Sequence, residues 1–555
     1  MRLVKITLSN GTTHECAEGV CVCEFAGQVP VKPTPYIAAL VNNDLVSMSY
    51  PLTVDSTVEF LTMADSHGWR VYRRSLCFLL AKVVAELFPK AGFSVEHSFG
   101  PGLYCSFDDK DTENKGISPA NLKSIEHRMR ELIAKNLPIE RRKISYESAM
   151  QQFHESGQTD KRNLLLHRNP PRVVVHWCDG FQDLAHGPLA PTTGVLKHFA
   201  LVRYEPGFVL HLPDKDNPET IPPFEDQPHL FKIFQEHKQW GRILQVSTVG
   251  RLNEIIANGE NRSFIRTAEA LHEKKVSEIA DKIGKRQREI RVILIAGPSS
   301  AGKTTFAKRL STHLAVNGLR PVTIATDNYF VGEDKNPLDE FGKPDYEHLD
   351  AVDIALFNND LLKLIRGEKI EVPYFNFEKK QREYRDDFLH IDSDQIIIIE
   401  GIHGLNPRLT HMIPAKNKFR IYINALTQLS LDANNRISTT DNRLMRRIVR
   451  DNMFRGYSAL ETLRRWPSVR RGEKRWIFPF QREADVTFNS ALDYELAILK
   501  PIIEPLLAQI KPADKEYAES RRLSEFLLNF LGASSDSVPG NSILREYIGG
   551  SDFEY

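Results

Sequence analysis

Gly297-Pro298-Ser299-Ser300-Ala301-Gly302-Lys303-Thr304-Thr305 is the stretch on which the reading of this chain turns. It fits G-x-x-x-x-G-K-[ST], the phosphate-binding P-loop. The apolar run Val292-Ile293-Leu294-Ile295-Ala296 precedes it and reads as a buried strand. Phe306, Leu310 and Leu314 follow at helical spacing, and Asn317-Gly318 supplies a stop. A strand before and a helix after form the context the motif needs. Gly297 and Gly302 let successive N–H groups turn toward phosphate oxygens, and the helix N-terminus adds its partial positive charge. Pro298, Ser299, Ser300, Ala301 and Thr305 complete the cradle. Lys303 is expected on the β- and γ-phosphates and the Thr304 hydroxyl on Mg²⁺. ATP and Mg²⁺ are the expected cofactors.

Working outward, 555 residues exceed one core and predict roughly two to four domains. With 41% apolar and 26% charged residues the composition is that of a globular chain. A net charge of +1 excludes a generally basic nucleic-acid binder, so any basic site must be local. Cys16, Cys21, Cys23, Cys77, Cys105 and Cys178 form no Cys-x-x-Cys pair and read as free thiols in a reducing compartment. Met1-Arg2-Leu3-Val4-Lys5-Ile6 alternates like a strand, and no run approaches a membrane span. A cytoplasmic location and no membrane partner are expected.

The predicted fold class is multidomain α/β. Residues 1–62 read as a small β-rich module: a strand at Leu3–Leu8, a turn at Ser9–Thr12, a return at Thr13–Cys16, and further strands at 36–41 and 56–61. Residues 65–225 open with an amphipathic helix from Tyr72 and close in a Pro- and acid-rich stretch, 205–228, that reads as a connector. Residues 226–289 read as a helical connector, 290–512 as the P-loop domain and 513–555 as a terminal helix and tail. Asp536–Tyr555 shows no clear periodicity and reads as partly disordered or packed on a partner.

In the P-loop half, Pro321–Thr326 reads as a strand ending at Asp327. Ligands of open α/β sheets lie beyond the carboxyl ends of strands, so Asp327 is placed to hold Mg²⁺ or to take a proton from an attacking hydroxyl. Ile396–Ile399 is a continuous apolar run, hence a central parallel strand, and ends in Glu400, the second acid expected near Mg²⁺. Phe419–Ile423 and Ala484–Phe488 are further strands. Between them lies a segment dense in arginine, including Arg443, Arg446, Arg447, Arg450 and Arg455, with few interleaved acids. Its place between core strands reads as a lid whose guanidinium groups close over a transferring phosphoryl.

Two resemblances follow. Residues 1–62 resemble a TGS domain, the ubiquitin-like module at the front of threonyl-tRNA synthetases, and residues 65–225 are similar to the second, editing-related domain of those enzymes. That family carries His-x-x-x-His and Cys-x-x-x-His; the matching positions here hold Arg74 and Phe78, then Ala185 and Leu189. None of these can ligate zinc or relay a proton, so editing by the family's route is not expected. The resemblance leaves tRNA or a nucleotide effector as an expected partner.

Residues 290–510 resemble the uridine kinase and phosphoribulokinase family. The resemblance rests on the P-loop, Asp327-Asn328-Tyr329-Phe330, Asp345–Asp350, Val372–Phe377, Glu400-Gly401, and Arg446-Arg447-Ile448-Val449-Arg450-Asp451 with Arg455-Gly456. It implies a P-loop kinase domain with a mostly parallel sheet. It also implies ATP-dependent phosphorylation of a uridine- or cytidine-like nucleoside at the sugar 5′-hydroxyl. Asp327 takes the position of the base and Glu347 that of an Asp that holds the ribose. Phe375 and Phe377 stand where an aromatic pair flanks the base, and Lys380 where the family has His. Tyr329 and Arg455 complete the acceptor set, while Arg446, Arg447 and Arg450 stand on phosphates. Alternatives are an ATP-driven RNA- or tRNA-binding regulator, and a kinase of a sugar phosphate, as in phosphoribulokinase. The family's habit of oligomerising makes a homo-oligomer an expectation.

Overall fold

The computed structural model describes residues 2–30, 32–108, 116–168, 170–376, 379–392 and 394–554. The chain divides into two compact units. One comprises residues 1–260, 428–437 and 504–533; the other comprises 261–427, 438–503 and 534–555.

The first unit begins with a five-stranded sheet. Its first strand, Leu3–Leu8, alternates in burial, with Val4, Ile6 and Leu8 inward, as a half-buried strand of period two requires. It pairs antiparallel with Thr13–Ala17 and parallel with Ser56–Thr62. Ser56–Thr62 in turn pairs antiparallel with Tyr36–Val41. Next comes the helix Ser66–Leu87, which buries Val71, Leu76, Leu79, Leu80 and Val83. Gly68 lets this helix approach the sheet: a Cβ there would lie 1.9 Å from the Thr62 carbonyl oxygen. The helix packs with a four-stranded sheet of Ala200–Tyr204, Gly207–His211, Gly102–Asp108 and Gly92–Phe99, in that order. Thus the stretch expected to be a plain connector contains a strand. Phe208, Val209 and Leu210 are wholly buried there, and a run of that kind is stable only inside a sheet. The connector's helices, Pro228–Leu244 and Val249–Ala257, follow. Cys21 ends the short strand Val20–Cys21, and Cys23 lies in the 3-10 turn Val22–Gln28.

The second unit is built on a five-stranded, wholly parallel sheet. Its order is Arg320–Ala325, Gln395–Glu400, Val292–Ala296, Lys418–Asn424 and Val486–Asn489. Val292–Ala296 is central and every residue in it is buried. All five strands run the same way, so their carboxyl ends gather on one edge. The P-loop, the turn bearing Asp327, and Glu400 all emerge there. Helix Lys303–Val316 follows the P-loop directly, with Phe306, Leu310 and Leu314 buried as the spacing predicts. Two helices, Thr439–Arg455 and Ala459–Gly472, form the arginine-dense segment. Ser438 caps the first by accepting from the Asp441 amide, and Ser458 with Glu461 forms a capping box on the second.

Residues 536–554, the described part of the stretch expected to be partly disordered or packed on a partner, depart from expectation. Ile543, Leu544 and Tyr547 are wholly buried, so this segment is packed on its own unit rather than loose.

Candidate active site

The P-loop carries the backbone its sequence demands. Gly297 passes so close to the neighbouring strand that a Cβ would sit 2.0 Å from the Ile423 carbonyl oxygen. Ser300 and Gly302 adopt φ of 58° and 81°, which turns the chain into the helix. The Lys303 ammonium donates to the Pro298 carbonyl at 3.3 Å, folded back over the loop. Thr304 Oγ1 donates to Glu400 Oε2 at 3.0 Å.

Three carboxylates meet around Lys303. Asp327 sits in the 3-10 turn Thr326–Tyr329 that ends the strand Arg320–Ala325. Solvent reaches it, yet it lies in a crowded cleft. Burial raises its carboxyl above the ordinary value, opposed by Lys303 and Arg455. Burial pushes Glu400 up to about 7, with Lys303 pulling it down and Asp327 pushing it further up. Glu347 is likewise pushed up to about 7 by burial, with Arg447 and Lys303 opposing and Glu473 and Asp327 reinforcing. Asp327 thus acts on both other carboxylates, and Lys303 acts on all three. Residues 20 or more positions apart in sequence share one electrostatic site. Such mutual displacement is a mark of functional clusters.

Glu347 abuts Gly472, which with Asp339, Glu340, Asp345, Arg471, Lys474, Arg475 and Trp476 lines a cavity of about 350 Å³. Gly472 leaves the room: a Cβ there would meet the Glu347 Cβ at 2.4 Å. The Glu347 amide is held by Asp345 Oδ1 at 3.0 Å.

The arginines divide into two sorts. Arg447 reaches the loop, donating to Ser299 Oγ at 2.8 Å, and to Asp451 at 3.1 Å. Arg450 donates to Asp451 at 3.0 Å, and the half-exposed Arg455 lies 3.6 Å from the same carboxylate. Arg446 differs from expectation. It is wholly buried, paired with Glu495, and donates to the Ser490 carbonyl at 2.8 Å. Its guanidinium is therefore committed to protein and braces the loop through the Ser300 carbonyl at 3.5 Å instead of awaiting a phosphate. Arg443 does the same, binding the Ser299 carbonyl at 3.1 Å and Glu473 at 2.9 Å.

Two acceptor expectations are corrected. Tyr329 is wholly buried and packs edge-on to Phe357 at 4.8 Å. Phe375 is 1% exposed and meets Phe330 edge-on at 5.5 Å. Both rings belong to the core under the site, so neither offers a face to a ligand. In the hairpin of Ile370–Asn376 and Gln381–Leu389 the alternation turns Phe375 inward and Tyr374 outward. Phe377 lies outside the described residues. Lys380 is exposed and paired with Glu333 at 2.6 Å.

The side chains that brace this site escaped the sequence reading. Glu473, Glu495 and Asp451 each hold arginines, and Glu546 accepts from the Thr305 hydroxyl at 2.7 Å. Their one signal was the arginines themselves, since buried guanidinium groups require acids.

The site's chemistry fits Mg²⁺. The ion takes oxygen ligands and keeps several waters, so one hydroxyl and one or two carboxylates beside a phosphate cradle suffice. Among the described residues there is no cluster of three or more His, Cys, Asp or Glu of the kind a dedicated metal cage would need. The first unit's matched positions are otherwise engaged. There Arg74 donates to the Pro188 carbonyl at 2.8 Å, and Phe78 and Leu189 are core residues. Burial pulls Arg74 down to about 9.

Comparison with known proteins agrees with this division. Residues 292–497 match the model of the Phosphoribulokinase / Uridine kinase family. A threonine–tRNA ligase of Desulforamulus reducens is 33% identical over 202 residues, which is 36% of this chain and 31% of that protein. This likeness falls in the amino-terminal half, so the chain spans about a third of the curated relatives it matches. A candidate fructose transport system kinase from Silicibacter sp. TM1040 superposes with TM-score 0.30 at 16% identity, covering 38% of this chain and 98% of that one. A possible uridine kinase from Bacillus stearothermophilus gives TM-score 0.25 at 18% identity, covering 39% of this chain and 100% of that one. No described helix is long and apolar enough to cross a membrane.

Proposed function

We propose that the second unit transfers the γ-phosphoryl of Mg·ATP to a hydroxyl of a nucleoside or closely related sugar. The observation that carries the reading is the meeting of Asp327, Glu347 and Glu400 around Lys303 at the mouth of a P-loop. Asp327 accepts the proton of the acceptor hydroxyl. A new O–P bond forms to the γ-phosphorus as the bond to the β–γ bridging oxygen breaks, and ADP leaves. Lys303, Arg447 and Arg455 neutralise charge on the phosphates. Thr304 and Glu400 would hold Mg²⁺, which would supply positive charge against that developing on the phosphates. Glu347 orients the acceptor by accepting from its hydroxyls. We assign the acceptor to the ribonucleosides, phosphorylated at the sugar 5′-hydroxyl.

A second reading keeps the kinase and changes the acceptor to a sugar phosphate, although the cavity near Glu347 is balanced in charge, with Asp339, Glu340 and Asp345 facing Arg471, Lys474 and Arg475. The deciding experiment measures ADP release with Mg·ATP against nucleosides, sugar phosphates and tRNA, with Asp327→Asn beside wild type. Turnover with one nucleoside that vanishes in the variant supports the reading. Turnover only with a phosphorylated sugar moves the acceptor class. Hydrolysis stimulated by tRNA alone replaces the kinase with an RNA-linked switch, for which the TGS-like and synthetase-like modules would be the binding part.

A further inference from the structure

The carboxyl-terminal segment is seated on the P-loop. Ile543 lies over Gly302, its Cγ2 only 2.5 Å from where a Cβ on that glycine would be. Glu546 Oε2 accepts from the Thr305 hydroxyl at 2.7 Å and from the Thr305 backbone amide at 3.3 Å. The Tyr547 ring stands 5.2 Å from the Arg446 guanidinium carbon and is wholly buried. The segment is anchored on both sides. Ser542 and Tyr494 both donate to Glu269, and Arg545 donates to the Val538 carbonyl at 2.6 Å and the Ser535 carbonyl at 3.0 Å.

The position of Glu546 matters because of what Thr305 is. It lies in the first turn of helix Lys303–Val316, where backbone N–H groups have no partner within the helix. In a P-loop those groups, with the positive end of the helix dipole, receive the nucleotide's phosphates. A carboxylate on that amide is a phosphate-like anion supplied by the chain itself. Glu546 is also near enough to Glu400 to raise it, which puts its charge beside the expected Mg²⁺ ligands. Two anions cannot share these donors in a partly desolvated cleft without mutual repulsion.

We propose that residues 543–547 form an autoinhibitory plug, with Glu546 as an internal competitor for the phosphate-binding donors, so that Mg·ATP binds only by displacing it. The proposal rests on the nucleotide-binding reading above. Its consequence is quantitative: apparent affinity for ATP is the intrinsic affinity multiplied by the fraction of molecules in which the plug is unseated. Any event that draws residues 538–548 away therefore raises affinity without touching the P-loop.

The test is equilibrium binding of Mg·ATP by calorimetry to the full chain, comparing wild type, Glu546→Gln and Ile543→Ala. Glu546→Gln removes the charge and preserves the shape. It is expected to tighten Kd about tenfold, the size of a lost hydrogen bond to a charged group. Ile543→Ala is expected to tighten it as well by loosening the segment from Gly302. Hydrogen exchange of amides 540–548 in wild type is expected to speed up when Mg·ATP is added. Unchanged or weaker binding in both variants, with amides 540–548 slowed by Mg·ATP, overturns the plug and makes the segment part of the nucleotide site. If neither wild type nor any variant binds Mg·ATP, the nucleotide reading itself falls and the plug with it. Melting temperature, read on each variant, separates a lost fold from a lost plug.

Discussion

The Thr304 hydroxyl and the Glu400 carboxylate are joined by a hydrogen bond of 3.0 Å, although 96 positions separate them. The parallel register causes this. Ile295 pairs with Glu400 across the two central strands, and the P-loop begins two residues after Ile295. On the proposed function, a hydroxyl and a carboxylate so held would share one Mg²⁺. Thr304→Ala and Glu400→Gln are each expected to raise the Mg²⁺ concentration for half-maximal turnover by about tenfold or more. A titration of activity against free Mg²⁺ at saturating ATP reads this directly.

Replacing the base tests the chemistry separately from binding. Asp327→Asn is expected to lower acceptor-dependent turnover by roughly 10²–10⁴-fold, the range for a lost general base, with the KM for ATP changed only a few-fold. Steady-state ADP release, resolved into kcat and KM, provides the check.

Glu347 predicts a pH dependence. Its carboxyl titrates at about 7 in the folded protein against an ordinary 4.5, so the folded state binds the extra proton between those values. For activity, protonation below about 7 removes the charged acceptor of hydroxyl protons, and kcat/KM for the acceptor should fall as pH drops through that value. For stability the sign is opposite. The raised pKa favours the fold fully below 4.5 and the benefit is lost as pH rises through about 7. Glu347→Gln should therefore raise Tm at pH near 8 relative to wild type, leave it unchanged near pH 4, and leave in kcat/KM only the inflection that Glu400 contributes near the same pH.

The buried pair Arg443–Glu473 braces the loop, with side chains 1% and 0% exposed. Glu473→Ala strands a guanidinium without its counter-charge and is expected to cost about 3–5 kcal/mol of stability. The double variant Arg443→Met, Glu473→Leu should recover part of that loss, as apolar replacements of buried pairs do. Denaturant unfolding of the single and double variants checks both statements.

In the first unit, Arg74, Phe78, Ala185 and Leu189 hold the positions that the resemblance to the synthetase editing domain matches to its His and Cys residues, and Phe78 and Leu189 are core residues. The chain is expected to show no hydrolysis of mischarged threonyl-acceptor tRNA above background, with or without added Zn²⁺. A deacylation assay beside an active editing enzyme measures this.

The features legible in the sequence are those fixed within a few residues. The P-loop was visible because its glycines, Lys303 and the flanking strand and helix are contiguous. Glu400 was visible because it ends a continuous apolar run that had to be a central parallel strand, and Asp327 because it follows a stretch that reads as a strand. The role of Arg446 was not, because its counter-ion Glu495 lies 49 positions away and reads in sequence as an ordinary helix-start acid. The inward turn of Phe375 depends on hairpin register, which one residue of slip would reverse. The carboxyl-terminal segment escaped notice because its structure is a 3-10 turn at Ser535–Ser537 and a single helical turn at Arg545–Ile548, too short to show a period.

The interleaving of the two units bears on how the chain is made. The first unit needs residues 504–533, and these are synthesised after most of the second unit. At ordinary translation rates the wait between residues 260 and 504 is on the order of tens of seconds. During it an incomplete first unit leaves the ribosome with the places for 428–437 and 504–533 unfilled. No single cut near residue 290 therefore yields two intact pieces. Expression of either half alone removes segments that its unit requires.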